Sequence, residues 1–267
     1  MEVTNTFIPT AGTVGIFSMV TYFFLVVAAF AFLGTFIISL ITPRISSPEQ
    51  RNSLEPNSFI LTTISTAIAG LTYYLIQSYY HDMLAEMATV SDANDRQTLI
   101  RESYNAIGQY RYIAWFITTP LLLVQLIALL RLPFNTYKRQ LLGLIMATIF
   151  MVFASYIGHE QLSFDNEIET VPKLVWGLIA LIDYVTIAFT LNKLWKEAGS
   201  QAHPAFRLSA LTVAGTWGIY FIGYFLTLAP IDFNWIHVVF TITDLISLIG
   251  IGIVVYLVNS NRWQTNT

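Results

Sequence analysis

Seven long apolar runs separated by shorter polar stretches set the pattern of this chain. They fall at Gly15–Ile41, Phe59–Tyr79, Tyr110–Leu130, Leu141–Ile157, Leu174–Trp195, Leu208–Leu228 and Trp235–Val258. A helix needs about 20 mainly apolar residues to cross a bilayer, so the pattern predicts an all-α protein with seven transmembrane helices. The mostly polar start, Met1–Val14, has no basic region before the first run, which reads as a retained span and not a cleaved signal. Nothing divides residues 1–267 into more than one domain. The second-to-third connection, about Tyr80–Gln109, is the longest, and its Ala88-Thr-Val segment suggests a short hairpin over the mouth of the bundle.

Composition sharpens the class. The chain is 55% hydrophobic and 11% charged, against about 25% charged in soluble domains. The net charge of −3 argues against a nucleic-acid partner. With no cysteine, disulfides, thiolate metal sites and cysteine nucleophiles are excluded. His81, His159 and His203 sit at span ends or in loops without metal-ligand spacing, and His237 reads as a core or interfacial histidine. No nucleophile–base set or phosphate loop supports an enzyme. What remains is a multi-pass protein of the cell membrane with lipid as its surroundings.

Charge sets the orientation. With the N-terminus outside, the inner segments and span ends carry Arg44, Arg51, Arg131, Lys138, Arg139, Lys193, Lys196, Arg207 and Arg262. The outer side carries only Arg96, Arg101 and Lys173, amid Asp82, Glu86, Asp92, Asp95, Glu102, Glu160, Asp165, Glu167 and Glu169. This bias predicts N-out, C-in. All four lysines, Lys138, Lys173, Lys193 and Lys196, then lie at the periphery.

Ionisable residues at membrane depth are costly and turn toward partners inside a bundle. Arg111, Asp183 and Asp244 are the three candidates. Arg111 shares one helical face with Trp115, Thr118, Leu122 and Gln125, and Asp244 is its expected ion-pair partner. That pair can fix helix registry or form an electrostatic site. Trp217, Tyr220 and Tyr224 share a face of the sixth span, and Tyr73 lies in the second. Aromatics at this spacing are ordinary core packing, but their polar neighbours also suit a flat apolar ligand. Asp183, seven residues after Trp176, is either a protonated carboxyl bonded to a neighbouring helix or a polar pocket residue.

The third span reads Arg111-Tyr-Ile-Ala-Trp-Phe-Ile-Thr-Thr-Pro-Leu-Leu-Leu123. It resembles the third-helix signature of microbial rhodopsins: arginine, tyrosine, two residues, tryptophan, then threonine-threonine-proline-leucine-leucine. Trp217-Gly-Ile-Tyr220, Asp244 through Gly250-Ile-Gly252, and Tyr73 after Ala67-Ile-Ala69 resemble the sixth, seventh and second helices of that family. The resemblance runs over all seven spans. It implies a retinal-shaped pocket formed by Tyr73, Trp115, Thr118, Thr119, Leu122, Trp176, Trp217, Tyr220, Asp244 and Leu248, with Trp115 and Trp217 sandwiching the polyene.

The departures from the family decide the expected function. The position of its retinal-binding lysine, one turn after the aspartate, is Leu248; that of its helix-three counterion is Ala114; that of its proton donor is Gln125. Phe221 stands where a proline commonly follows the tyrosine. Losing a lysine and a carboxylate together leaves Arg111 and Asp244 balanced, whereas losing the lysine alone would leave a surplus buried anion. The resemblance therefore implies a rhodopsin-like protein with no covalent cofactor. It would bind retinal or an apocarotenoid non-covalently, or serve as a regulatory or partner subunit, in a homo-oligomer or beside another rhodopsin. The alternative is a light-driven ion pump or photosensor.

Overall fold

The computed structural model describes residues 7–42, 55–130, 134–163, 167–199 and 204–259. Arg44, Arg51, Arg131, Arg262, Asp165 and His203 lie outside the described residues. After a single helical turn, Ala11–Val14, come seven helices. These are α1 (Ile16–Ile41), α2 (Glu55–Met87), α3 (Ala93–Ala128), α4 (Phe134–His159), α5 (Thr170–Ala198), α6 (Pro204–Leu226) and α7. The last is composite: Asn234–Asp244 and Ile251–Asn259 flank a π-helical stretch, Leu245–Gly250. All seven are long and apolar enough to cross a membrane, and the protein is an integral multi-pass membrane protein. The chain starts on what is called here the N-terminal face, where the α2–α3, α4–α5 and α6–α7 connections also lie.

Three of the helices show a local reason to begin or end. Asp92 caps α3, its carboxylate accepting from the backbone N–H groups of Asn94 (2.8 Å) and Asp95 (3.1 Å). Proline opens α6 at Pro204, where a missing N–H costs nothing. Gly199, at φ 51°, ends α5 in a backbone conformation that favours glycine. Elsewhere in the spans, threonine hydroxyls return their hydrogen to the carbonyl one turn back, as Thr148 does to Leu144 and Thr212 to Leu208. That satisfies them without water, which the hydrocarbon region lacks.

Large apolar side chains such as Phe23, Phe30, Phe150, Phe189 and Ile222 point outward, the arrangement of a surface solvated by lipid tails. The interior is sharply different. Arg111, Gln125, Asp244, His237, Lys173 and a set of threonines are all buried there.

The expected loop Tyr80–Gln109 with its hairpin is not formed. α2 continues to Met87, Thr89 and Val90 close a turn onto Glu86 and Met87, and α3 starts at Ala93. Among the described residues the one β-bridge, Leu162 with Ile168, lies in the α4–α5 connection. At 36 residues, α3 is about 54 Å long, against about 30 Å of hydrocarbon. The α2–α3 pair therefore projects beyond the membrane as a helical hairpin. Polar residues there lower the hydropathy, while Asp92 and the buried stripe Ile100, Tyr104, Ile107 and Arg111 keep the helix going.

The charge bias gives a direct test of orientation. In a chain without native cysteine, Ser91→Cys should react with an impermeant maleimide on intact cells, and Asn135→Cys only after lysis. The opposite pattern would invert the assignment.

Candidate buried carboxylate and aromatic cavity

Asp244 stands at the end of the α-helical part of α7 and is fully enclosed. A carboxylate is an acceptor only, and three side chains from three other helices supply its donors. Tyr73 of α2 donates its hydroxyl to Oδ2 at 2.6 Å. Trp115 of α3 donates Nε1–H to Oδ1 at 2.9 Å. Tyr220 of α6 donates its hydroxyl to Oδ1 at 2.5 Å. Hydrogen bonds to a charged group contribute about 1.5–3 kcal/mol each, so this node ties α2, α3, α6 and α7 together.

The expected Arg111–Asp244 ion pair is absent among the described residues. Arg111, also buried, donates Nη2–H to the Thr241 hydroxyl at 3.0 Å and the His237 carbonyl at 3.4 Å. Its guanidinium carbon lies 5.8 Å from the centre of the Tyr73 ring and 5.7 Å from that of Phe240. Three neutral donors take three of the roughly four acceptor positions of the carboxylate, and Tyr73 lies beside both charges, its ring toward one and its hydroxyl on the other. Arg111 Nε makes no hydrogen bond.

Next to this node is a cavity of about 40 Å³ among α3, α4, α6 and α7. Trp115, Thr119, Met151, Trp217, Tyr220 and Tyr224 are among its lining. Trp115 and Tyr220 pack with ring centroids 4.7 Å apart and also contact Phe240. Of the ten pocket residues read from the sequence, Trp115, Thr119, Trp217 and Tyr220 line this cavity. Tyr73 and Asp244 form the adjacent node, while Thr118, Leu122, Trp176 and Leu248 do not reach the space. Thr118 bonds the Ala114 carbonyl, Leu122 is closed in the core, and Trp176 packs at the core's edge. Leu248 sits buried in the π-helical stretch and does not line this cavity, which was expected to be bounded by it. Gln125 donates to the Thr62 hydroxyl of α2 at 3.1 Å, a neutral link between helices.

Asp183 does not enter the cavity. It is half-buried on α5. The next residue, Tyr184, turns inward, donating its hydroxyl to the Ala214 carbonyl at 2.6 Å and packing on Phe221. The inward face of α5 is thus one residue away from the one that Trp176 suggested.

Lys173 is the residue that sequence reasoning missed. Placed among peripheral charges, it is wholly buried, and its Nζ makes no hydrogen bond. The ammonium lies 5.0 Å from the Tyr224 ring centre and 5.9 Å from that of Tyr104. The signal was present: Lys173, Gly177, Ala180, Ile187, Leu191 and Leu194 form one buried stripe of α5. A β-carbon on Gly177 would overlap Tyr224, so this glycine lets the Tyr224 ring lie against α5 and reach the Lys173 carbonyl with its hydroxyl, at 2.9 Å. Nearby, His159 bonds the Asn105 carbonyl at 2.9 Å, whereas both ring nitrogens of buried His237 lack partners. At the mouth, burial pushes the Glu160 carboxyl above its usual range, and the Gln109 amide and the Lys173 charge draw it partly back.

With the geometry in place, comparison supplies the relationship. The sequence model described as "Bacteriorhodopsin-like protein" matches residues 18–261. The chain belongs to the bacteriorhodopsin-like family. Solved structures with the same fold include thermophilic rhodopsin, at 21% identity and TM-score 0.72, covering 92% of this chain and 94% of that one. Xanthorhodopsin, described as a light-driven ion pump with dual chromophore, has 20% identity and TM-score 0.71 with the same coverage. Exiguobacterium sibiricum rhodopsin has 22% identity and TM-score 0.69, covering 91% and 97%. No curated protein matches significantly.

Two measurements probe this bacteriorhodopsin-like interior. Tyr73→Phe should lower stability by about 1.5–3 kcal/mol, read by thermal or denaturant unfolding in lipid nanodiscs; no loss would show that its bond to Asp244 is not formed. Lys173→Met removes, at similar volume, a buried ammonium that makes no hydrogen bond and feels Glu160 without a close ion pair, so stability should change by less than about 2 kcal/mol. A loss beyond about 2 kcal/mol would reveal a partner for the ammonium.

Proposed function

We propose that this chain is a rhodopsin-family protein that forms no retinal Schiff base and binds an apolar ligand of the retinoid class non-covalently. The observation that carries the reading is Leu248. It lies one turn beyond Asp244, where the family resemblance places the retinal-binding lysine, and it offers no amine. Covalent retinal does not fit this set of residues.

For such a ligand the cavity must open. Its 40 Å³ is room for a few waters, at about 10–15 Å³ each, and is small beside ligand pockets of about 300–1,000 Å³. Trp115 and Trp217 both line it, and Leu248 does not. A ring-bearing apolar ligand enters by parting the Trp115–Tyr220 stack, and burial of its surface at about 25 cal/mol per Å² drives the binding. Ala114 and Gln125 supply no carboxylate for proton transfer along α3. Output therefore passes through shape and contact with a partner subunit, a second copy or another rhodopsin, and not through ion transport or catalysis.

Purified protein mixed with all-trans retinal is the test. The absorbance should remain that of the free aldehyde, mild solvent should extract the retinal intact, and borohydride should attach nothing to the chain. Saturable quenching of tryptophan fluorescence should report binding, and its absence would remove the ligand. A visible, red-shifted pigment, light-driven acidification by cells, or a borohydride adduct mapped to Lys173 or any other residue would overturn the non-covalent reading. Leu248→Lys with Ala114→Asp adds one cation and one anion together, so this double variant should gain visible colour that the parent lacks.

A further inference from the structure

The largest cavity described lies away from the aromatic one, between α4 and α5 toward the C-terminal face. It holds about 410 Å³ and is lined by Arg139, Gln140, Gly143, Leu144 and Ala147 from α4 and by Thr186, Ile187, Thr190 and Lys193 from α5. The residues on each helix fall at helical spacing, so each set forms one stripe. Because the helices run antiparallel, Arg139 near the start of α4 and Lys193 near the end of α5 meet at the same end.

The groove is therefore chemically graded. Its mouth carries two exposed cations and a glutamine amide. Its floor is glycine, leucine, alanine and isoleucine. The two threonines add little polarity, since Thr186 and Thr190 donate their hydroxyl hydrogens to the carbonyls of Ile182 (2.9 Å) and Thr186 (2.8 Å). Lys193 Nζ lies 3.6 Å from Glu197 Oε1 in an exposed pair, and an ammonium has three hydrogens to share. At Gly143 a β-carbon would meet nothing within 4 Å. That glycine opens the groove instead of relieving a contact inside the protein.

The geometry points to a binding site for one anionic phospholipid, with its phosphate at Arg139 and Lys193 and an acyl chain along Gly143, Leu144, Ala147 and Ile187. Basic pockets between helices at a membrane surface recognise anionic headgroups, and an arginine fork with an ammonium suits a phosphate. The site shares no residue with the aromatic cavity, so it stands or falls independently of the proposed ligand.

The test is native mass spectrometry of the full chain released from detergent containing equal amounts of phosphatidylglycerol and phosphatidylcholine with identical acyl chains. The parent should retain one phosphatidylglycerol, favoured at least about fivefold. Arg139→Gln with Lys193→Gln should erase the preference and leave lipid bound. Gly143→Phe should lose lipid of both kinds, with its circular dichroism unchanged; Gly143→Leu is the milder second plug if the phenylalanine impairs folding. Equal retention of the two lipids by the parent would overturn the assignment. So would undiminished phosphatidylglycerol on a folded plugged variant, or a parent dimer that plugging dissociates, which would make a second copy the occupant.

Discussion

A carboxylate enclosed at membrane depth must have its donors supplied by the protein, because the hydrocarbon supplies none. Asp244 meets that demand with Tyr73, Trp115 and Tyr220, one from each of three other helices. The positions of the helices around it follow. Trp115 must present its indole edge to α7, which lays its ring against Tyr220 and Phe240. Arg111 lies one turn earlier on α3 and turns to Thr241 and His237 on the same face of α7. Arg111 and Asp244 thus offset each other without an ion pair, with Tyr73 beside both.

That arrangement fits the proposed absence of a covalent cofactor. Removing an amine alone would strip Asp244 of a charge partner. Here all three hydrogen bonds to the carboxylate come from neutral donors, and on α3 Ala114, next to Trp115, adds no second carboxylate.

Much of this was legible in the sequence, for physical reasons. Hydrocarbon thickness enforces long apolar runs, so the seven helices could be counted directly. The signature from Arg111 to Leu123 held Trp115, and the motifs of the second and sixth spans held Tyr73 and Tyr220, the three donors to Asp244. What escaped were features that hydropathy does not encode. The extensions of α2 and α3 are polar outside and held by an inward stripe, so they read as a loop. Lys173 looked peripheral because a charge near a span end usually is, although its stripe with Gly177 and Ala180 pointed inward. Asp183 drew attention as a charge in an apolar run, while its neighbour Tyr184 makes the contact with α6. Which partner Arg111 would choose depended on the donors already at Asp244, and only three dimensions reveal that.

The hairpin of α2 and α3 also has a practical side. At 30.1 kDa, and with most of its mass inside a micelle or nanodisc, the bundle offers little contrast for aligning single-particle images. Two continuous helices leave the membrane together and join through the short turn between Met87 and Ala93. A compact helical domain fused in frame across that turn would inherit their direction and serve as a rigid fiducial outside the lipid, far from both cavities.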